Sequence, residues 1–532
     1  MRGEKQLRKR VEEAFNFALQ QTKNQPKLSS LYQQLFACKA DLNEPMRIAV
    51  VGLIKAGKST MVNALLEESV LATGTVEATF NVNWLKYGEK KTLKVYFKDN
   101  RKEQEKSFEE LEELTRRADE NKDYLLSIKY IEVFYPNVLL KNFNIIDTPG
   151  LASYHKDDSE NTTNFLKLYG NELSERTRAE ASNADAVLYL FQQGLSAMDE
   201  SIAKIFQGSE IGQPTPINAI GVLTRIDGYW SDEYPNPMDA GRKVSGRLCE
   251  DPKVRNLFYT ICPVSGFLAL GAKTIKFDEF DTLRKLANLP EDRLNRLLLN
   301  VTRFNEREYE DIAISPIDRR KVMERLGQYG VSLACQIIRE KLKEEIIPQE
   351  ELYQLVSNGL FNKSGVPELS HLVTAHFGNR AFLIKLNSVL KKISTTCFRE
   401  LQKLSSESDR QIVDEIAGQF GAIKDQEHAF RELEALRAYY EGKLEFTDEE
   451  VTQLLQVTGE YGISCGDRLG LSERALISEM FLVAQYRLLY WQKRASDVFS
   501  ANRQTVFAAN VLVRSFERII FNLRKVEEYL YI

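Results

Sequence analysis

An apolar strand that runs straight into Gly52-Leu53-Ile54-Lys55-Ala56-Gly57-Lys58-Ser59-Thr60 constrains this chain more than any other feature. The spacing is G-x-x-x-x-G-K-S, with the β-branched run 47–51 before it and a helical stretch, 61–66, after it. The glycines let backbone N–H groups turn inward around phosphate oxygens, where side chains would obstruct them, and the helix start adds its positive dipole end. In such a loop Lys58 neutralises the β- and γ-phosphates of a nucleoside triphosphate, and the Ser59 hydroxyl coordinates Mg2+. Gly52, Ala56, Gly57 and Thr60 complete the expected phosphate cradle.

Three further elements narrow the nucleotide. Asp147-Thr148-Pro149-Gly150 ends the apolar run 143–146, which places the Asp147 carboxylate where a Mg2+ ligand belongs and the Gly150 N–H where a γ-phosphate would be sensed. Thr224-Arg225-Ile226-Asp227 ends the run 219–223. A carboxylate fixed there accepts from both N1–H and the N2 amino group of guanine, a donor pair that adenine lacks, so Asp227 is the base-selecting residue. Cys262-Pro263-Val264-Ser265-Gly266 follows a strand expected at 257–261 and brings the Ser265 region near the guanine O6. The order of these elements is that of a GTPase using GTP/GDP and Mg2+.

Further β-rich runs at 93–97, 128–134 and 186–191 alternate with helical stretches, which predicts an α/β fold with a mixed, mostly parallel sheet. Residues 1–45 have apolar positions at helical spacing, and a charged helical insertion is expected at about 267–350. Ser364-Gly365-Val366-Pro367-Glu368-Leu369 opens another helix with Pro and Glu in its first turn. No proline follows Pro367, so the tail is expected to be long helices in a bundle. The expected division is N-terminal helices at 1–45 joining the bundle, a GTPase domain at 46–378 and a helical bundle at 379–532.

The 72 basic and 76 acidic residues give a net charge of −4, which argues against a protein that coats nucleic acid. Six scattered cysteines without a C-x-x-C pair suggest a reducing compartment rather than a disulfide framework. The start lacks the apolar core of a secretory signal, and no apolar run approaches a membrane span. The expected location is therefore cytoplasmic, with peripheral attachment to the inner face of an anionic membrane left open.

These motifs resemble the dynamin-like large GTPases of bacteria. The P-loop with Lys55-Ala56, the segment 71–79, residues 147–151, 184–189 and 224–227 carry the likeness. Residues 325–331 and 364–369 look like the isoniazid-inducible dynamin-like proteins of actinobacteria. The likeness spans about 46–378; the tail matches only in character. It implies that Thr79 is the switch threonine touching Mg2+ and γ-phosphate. It also implies G-domain self-association and membrane binding or remodelling, whereas a second dynamin-like chain as partner belongs to the alternative, an assembly or signalling protein without membrane action. Glu77 and Ala78 depart from the family's usual switch residues, and Arg225 stands where a Lys is usual. Leu151 occupies the position of a water-positioning Gln, and a hydrocarbon cannot orient water. Lys55 is the candidate charge that stabilises the transferring phosphoryl, in cis or across a dimer.

Other features admit two readings. His155 lies in a polar stretch after residue 150, and His371 and His376 are five apart, a spacing unsuited to a shared helix face. Residues 486–525 carry Arg487, Lys493, Arg494, Arg503, Arg514, Arg518, Arg524 and Lys525 against Asp497 and Glu517. That stretch is either a bundle helix with solvated charges or a face for anionic lipid. The break at 461–470 reads as a connector between helices or as a bundle tip. A GTP-controlled assembly protein without membrane action is the alternative to remodelling.

Overall fold

The computed structural model describes residues 2–530 except 54, 74–80, 100, 116–121, 150–183, 193–217, 256, 311, 345–346, 473 and 498–500. The expected positions Thr79, Gly150, Leu151 and His155 lie outside the described residues.

Among the described residues nine strands form one sheet: β1 Met46–Gly52, β2 Asn83–Tyr87, β3 Thr92–Phe97, β4 Gln104–Ser107, β5 Ile128–Tyr135, β6 Phe143–Asp147, β7 Ala186–Phe191, β8 Ala219–Leu223 and β9 Ile261–Pro263. Their order is β4-β3-β5-β2-β6-β1-β7-β8-β9. The ladders β6-β1, β1-β7, β7-β8 and β8-β9 are all parallel. Antiparallel pairs occur only on the β2–β4 side, which gives the mixed, mostly parallel sheet read from the sequence. β6, β7 and β8 are buried at every position, as expected of strands covered on both faces.

One strand departs from the sequence reading: the ladder with β8 begins at Ile261 rather than at 257 or 258. Phe258 instead turns into the core against Tyr189 and Phe191, with ring centroids 5.7 and 6.4 Å away. The strands β2 and β4 were not legible as β-rich runs; Gln104-Glu105-Lys106-Ser107 is an exposed edge without apolar alternation.

One sheet face is covered by the helix Lys58–Leu66, and the apolar core there continues into helices that follow β9, including Gly266–Thr274, Phe277–Ala287, Pro316–Glu344 and Gln349–Asn362. Gly327 interrupts the helix Pro316–Glu344 with φ 68°, a conformation that suits a residue without Cβ. The other sheet face is covered by Met238 and neighbours of the helix Pro237–Glu250. A separate apolar core joins Arg2–Thr22 and Ser29–Asn43 to the C-terminal helices Ala381–Lys403, Glu407–Gln426, His428–Tyr440, Asp448–Val457, Ile477–Ser496 and Arg503–Leu530. No helix among the described residues is long and apolar enough to cross a membrane.

Candidate functional site

Because β1, β6, β7, β8 and β9 run parallel, their carboxyl ends share one edge of the sheet, where open α/β sheets bind ligands. The phosphate loop leaves β1, Asp147 ends β6, Gln192 follows β7, Thr224 follows β8 and Ser265 follows β9. Of the expected site residues within the described part, this edge gathers all.

Gly52 has no room for a side chain, since a Cβ there would stand 2.5 Å from the Leu190 carbonyl oxygen. Gly57 has φ 88° and caps the helix Lys58–Leu66. Lys58 is buried and folded onto the loop, its Nζ donating to the Leu53 carbonyl at 3.1 Å and reaching the Gly52 carbonyl at 3.4 Å. Those carbonyls hold the ammonium at the mouth of the loop. Ser59 Oγ donates to Asp147 Oδ2 at 3.1 Å, and Asp147 is wholly buried. A hydroxyl and a carboxylate so close form a hard oxygen donor pair of the kind Mg2+ prefers, so the residues present fit that ion.

The turn at 224–227 is tied to the phosphate loop at two points, and the end of β7 adds a third. Thr224 Oγ1 donates to the Ala56 carbonyl at 3.1 Å, and Arg225 Nη2 donates to the Lys55 carbonyl at 2.7 Å. Gln192 Nε2 donates to the same Lys55 carbonyl at 2.9 Å. Lys55 and Arg225 themselves adopt φ 63° and 57°, a left-handed conformation costly for residues with a side chain. Two donors on one carbonyl hold Lys55 there. Gln192 escaped the sequence reading; its only signal was its place directly after the buried strand β7.

Ser265 connects recognition to scaffold. Its hydroxyl donates to Asp227 Oδ1 at 2.6 Å and accepts from the Leu268 N–H at 3.1 Å, so the residue that caps the helix Gly266–Thr274 also aims the carboxylate. The Ser265 N–H is taken by the Ser364 carbonyl at 2.8 Å. Gly365, at φ 78°, lies where a Cβ would stand 2.4 Å from the Pro263 carbonyl oxygen. The 364–369 segment thus supports the base loop from behind.

A second polar group lies between the sheet and the helical core. Tyr259, just before β9, packs against both apolar cores and donates its hydroxyl to Glu460. Arg380 Nη1 reaches Glu460 Oε2 at 2.6 Å and His376 Nδ1 at 2.9 Å. A guanidinium only donates, so towards Arg380 the Nδ1 atom is an acceptor; Nδ1 also lies 3.5 Å from Glu460 Oε2, so His376, Arg380 and Tyr259 all surround the anion. His376 is wholly buried on a π-helical turn, Val373–Gly378. Burial alone would raise the Glu460 carboxyl; His376, Arg380 and Tyr259 around it overcome that and hold it below the usual carboxylate range.

Residues 48–226 match the model of the Dynamin family. The chain is 27% identical over 501 residues to the isoniazid-induced protein IniC of Mycobacterium tuberculosis, covering 92% of this chain and 93% of that one. Dynamin-like protein 2 of Campylobacter jejuni is 29% identical over 129 residues, 24% of this chain and 20% of its own. A solved structure described as "An oligomerised bacterial dynamin pair provides a mechanism for the long range sensing and tethering of membranes" aligns with 99% of this chain and 74% of its own, at 16% identity and a TM-score of 0.29. With the phosphate loop and the family match in agreement, residues 48–226 carry a Dynamin-family GTPase domain, and the chain, similar over most of its length to a bacterial dynamin-like protein, binds guanine nucleotide and hydrolyses GTP.

Proposed function

We propose that GTP hydrolysis in this chain is switched on by pairing of two GTPase domains and moves the helical bundle, with a membrane as the place of action. The units of that motion are 46–378 and the bundle of 1–45 with 379–532. The observation that supports it best is the Tyr259-His376-Arg380-Glu460 group, which connects the amino end of β9, the strand whose carboxyl end leads into Ser265, to helices of the other core.

In this reading Gly52, Ala56, Gly57 and Thr60 shape the phosphate cradle and Lys58 neutralises phosphate charge. Ser59, Asp147 and Thr79 hold Mg2+, which when bound supplies further neutralisation of the phosphates. Gly150 senses the γ-phosphate, Asp227 selects guanine with Ser265 behind it, and Thr224 and Arg225 link base loop to phosphate loop. Lys55 contributes positive charge to the transition state; pairing-stimulated turnover that survives Lys55→Ala would remove it from that role. Pairing supplies the water-orienting geometry that Leu151 cannot.

Co-sedimentation with anionic liposomes, without nucleotide and with GTP, tests the place of action. Lipid binding that depends on nucleotide supports the reading, and no binding in any state sinks the membrane part of it. The second reading, a GTP-controlled assembly protein without membrane action, is favoured by the exposed apolar residues Leu482, Tyr486 and Leu489 on the outer face of the helix Ile477–Ser496, a face without net positive charge.

A further inference from the structure

The helix Ile477–Ser496 is apolar on two sides. Its inner side buries Ala484 and Trp491, and Trp491 Nε1 donates to Gln453 at 2.8 Å. Its outer side leaves Leu482 67%, Tyr486 73% and Leu489 67% exposed, with Tyr490 at 42%. At about 100° per residue these four fall in a wedge roughly 100° wide, the width of a stripe that normally faces a core.

Two charges close the stripe. Glu479 stands seven residues before Tyr486 and Lys493 seven after, both exposed and within about 20° of the same line. Neither has an ion-pair partner among the described residues. Between them the helix exposes Gln485 and Gln492 but no charge.

We infer that this face is an interface between two copies of the chain, packed as antiparallel helices about a two-fold axis at Tyr486. The charge pattern specifies that geometry: antiparallel pairing sets Glu479 of each copy against Lys493 of the other, whereas parallel pairing sets like against like. The same axis stacks Tyr486 on its symmetry mate and Leu482 against Tyr490. A stripe with one charge of each sign has no net attraction for anionic headgroups, which favours a second copy over a lipid surface. This contact is separate from the nucleotide edge and goes beyond GTPase-domain pairing.

Sedimentation velocity of the full chain without nucleotide, titrated through the micromolar range, tests it. Reversible dimerisation is expected, weakened about tenfold or more by Leu489→Glu. Glu479→Lys and Lys493→Glu each weaken it, and the double swap restores it. A wild-type chain that stays monomeric, or a dimer indifferent to these changes, overturns the inference. Variants that instead lose binding to phosphatidylglycerol vesicles with dimerisation unchanged overturn it in favour of lipid. Unaltered circular dichroism and GDP binding show that the variants are folded.

Discussion

Glu460→Ala should uncouple the helices from the nucleotide side. Glu460 has a side chain only 7% exposed and Arg380 one only 3% exposed, so the change leaves a buried guanidinium without its anion. Breaking such a pair costs roughly 3–5 kcal/mol. Glu460→Gln keeps an acceptor and should cost less, about 1.5–3 kcal/mol, the worth of a hydrogen bond to a charged group. GDP binds only the sheet edge, and at a hundredfold excess over its Kd it stabilises by about 2.7 kcal/mol. With the joint intact, that stabilisation reaches the helices, and calorimetry shows one transition that GDP raises. In Glu460→Ala two transitions are expected, of which GDP raises one. The sign of the pH effect follows from the depressed carboxyl: its stabilisation is complete above 4.5, the ordinary value, and fades below it. The gap between wild type and Glu460→Gln therefore narrows in acid. Replacing the pair together, Arg380→Met with Glu460→Leu, should recover stability while the two transitions stay separate. A single transition at the wild-type midpoint in Glu460→Ala, with the GDP shift unchanged, would refute the joint.

Three other outcomes follow from the site. Asp227→Asn removes the anion that accepts from guanine, so GTP affinity measured by titration calorimetry should fall roughly a hundredfold or more, with xanthosine triphosphate gaining because an amide N–H can meet its extra carbonyl. Chelating Mg2+ should abolish phosphate release and leave guanine preference intact, since in the proposed reading Asp227, held by Ser265, acts on the base alone. Gln192→Leu removes one of two donors on the Lys55 carbonyl, worth about 1 kcal/mol, so GDP affinity should fall about fivefold without change in base preference.

What the sequence revealed and what it hid follow from range. The phosphate loop, Asp147 and Asp227 each sit at the end of a continuous apolar run, so neighbours in the chain announce both the strand and the turn that follows it. Ser265 was legible on the same ground, although its strand is shorter than the run that signalled it. The joint was not legible, because Tyr259, Arg380 and Glu460 meet across 201 and 80 residues and single polar residues carry no periodic signal. The basic stretch shows the same limit. Arg494 pairs with Glu450 at 2.9 Å, Arg514 with Glu517 at 2.8 Å and Arg518 with Glu427 at 3.4 Å, so much of its charge is spent within the bundle. The helix Arg503–Leu530 buries Leu512, Phe516 and Ile519 as a core stripe should, whereas its neighbour keeps an apolar face in water. Periodicity alone could not separate those two helices. The break at 461–470 forms a short capped turn, with Ser464 accepting from Asp467 N–H at 3.1 Å and Leu469 buried, as a connector would be.

The most direct measurement of the central claim is GTP turnover per molecule across protein concentration, followed by phosphate release in the presence of Mg2+. A rate per molecule that climbs with concentration and saturates is the expected result, because in the proposed mechanism two GTPase domains meet to order the attacking water. A rate that stays flat from dilute to concentrated protein would contradict catalysis by pairing.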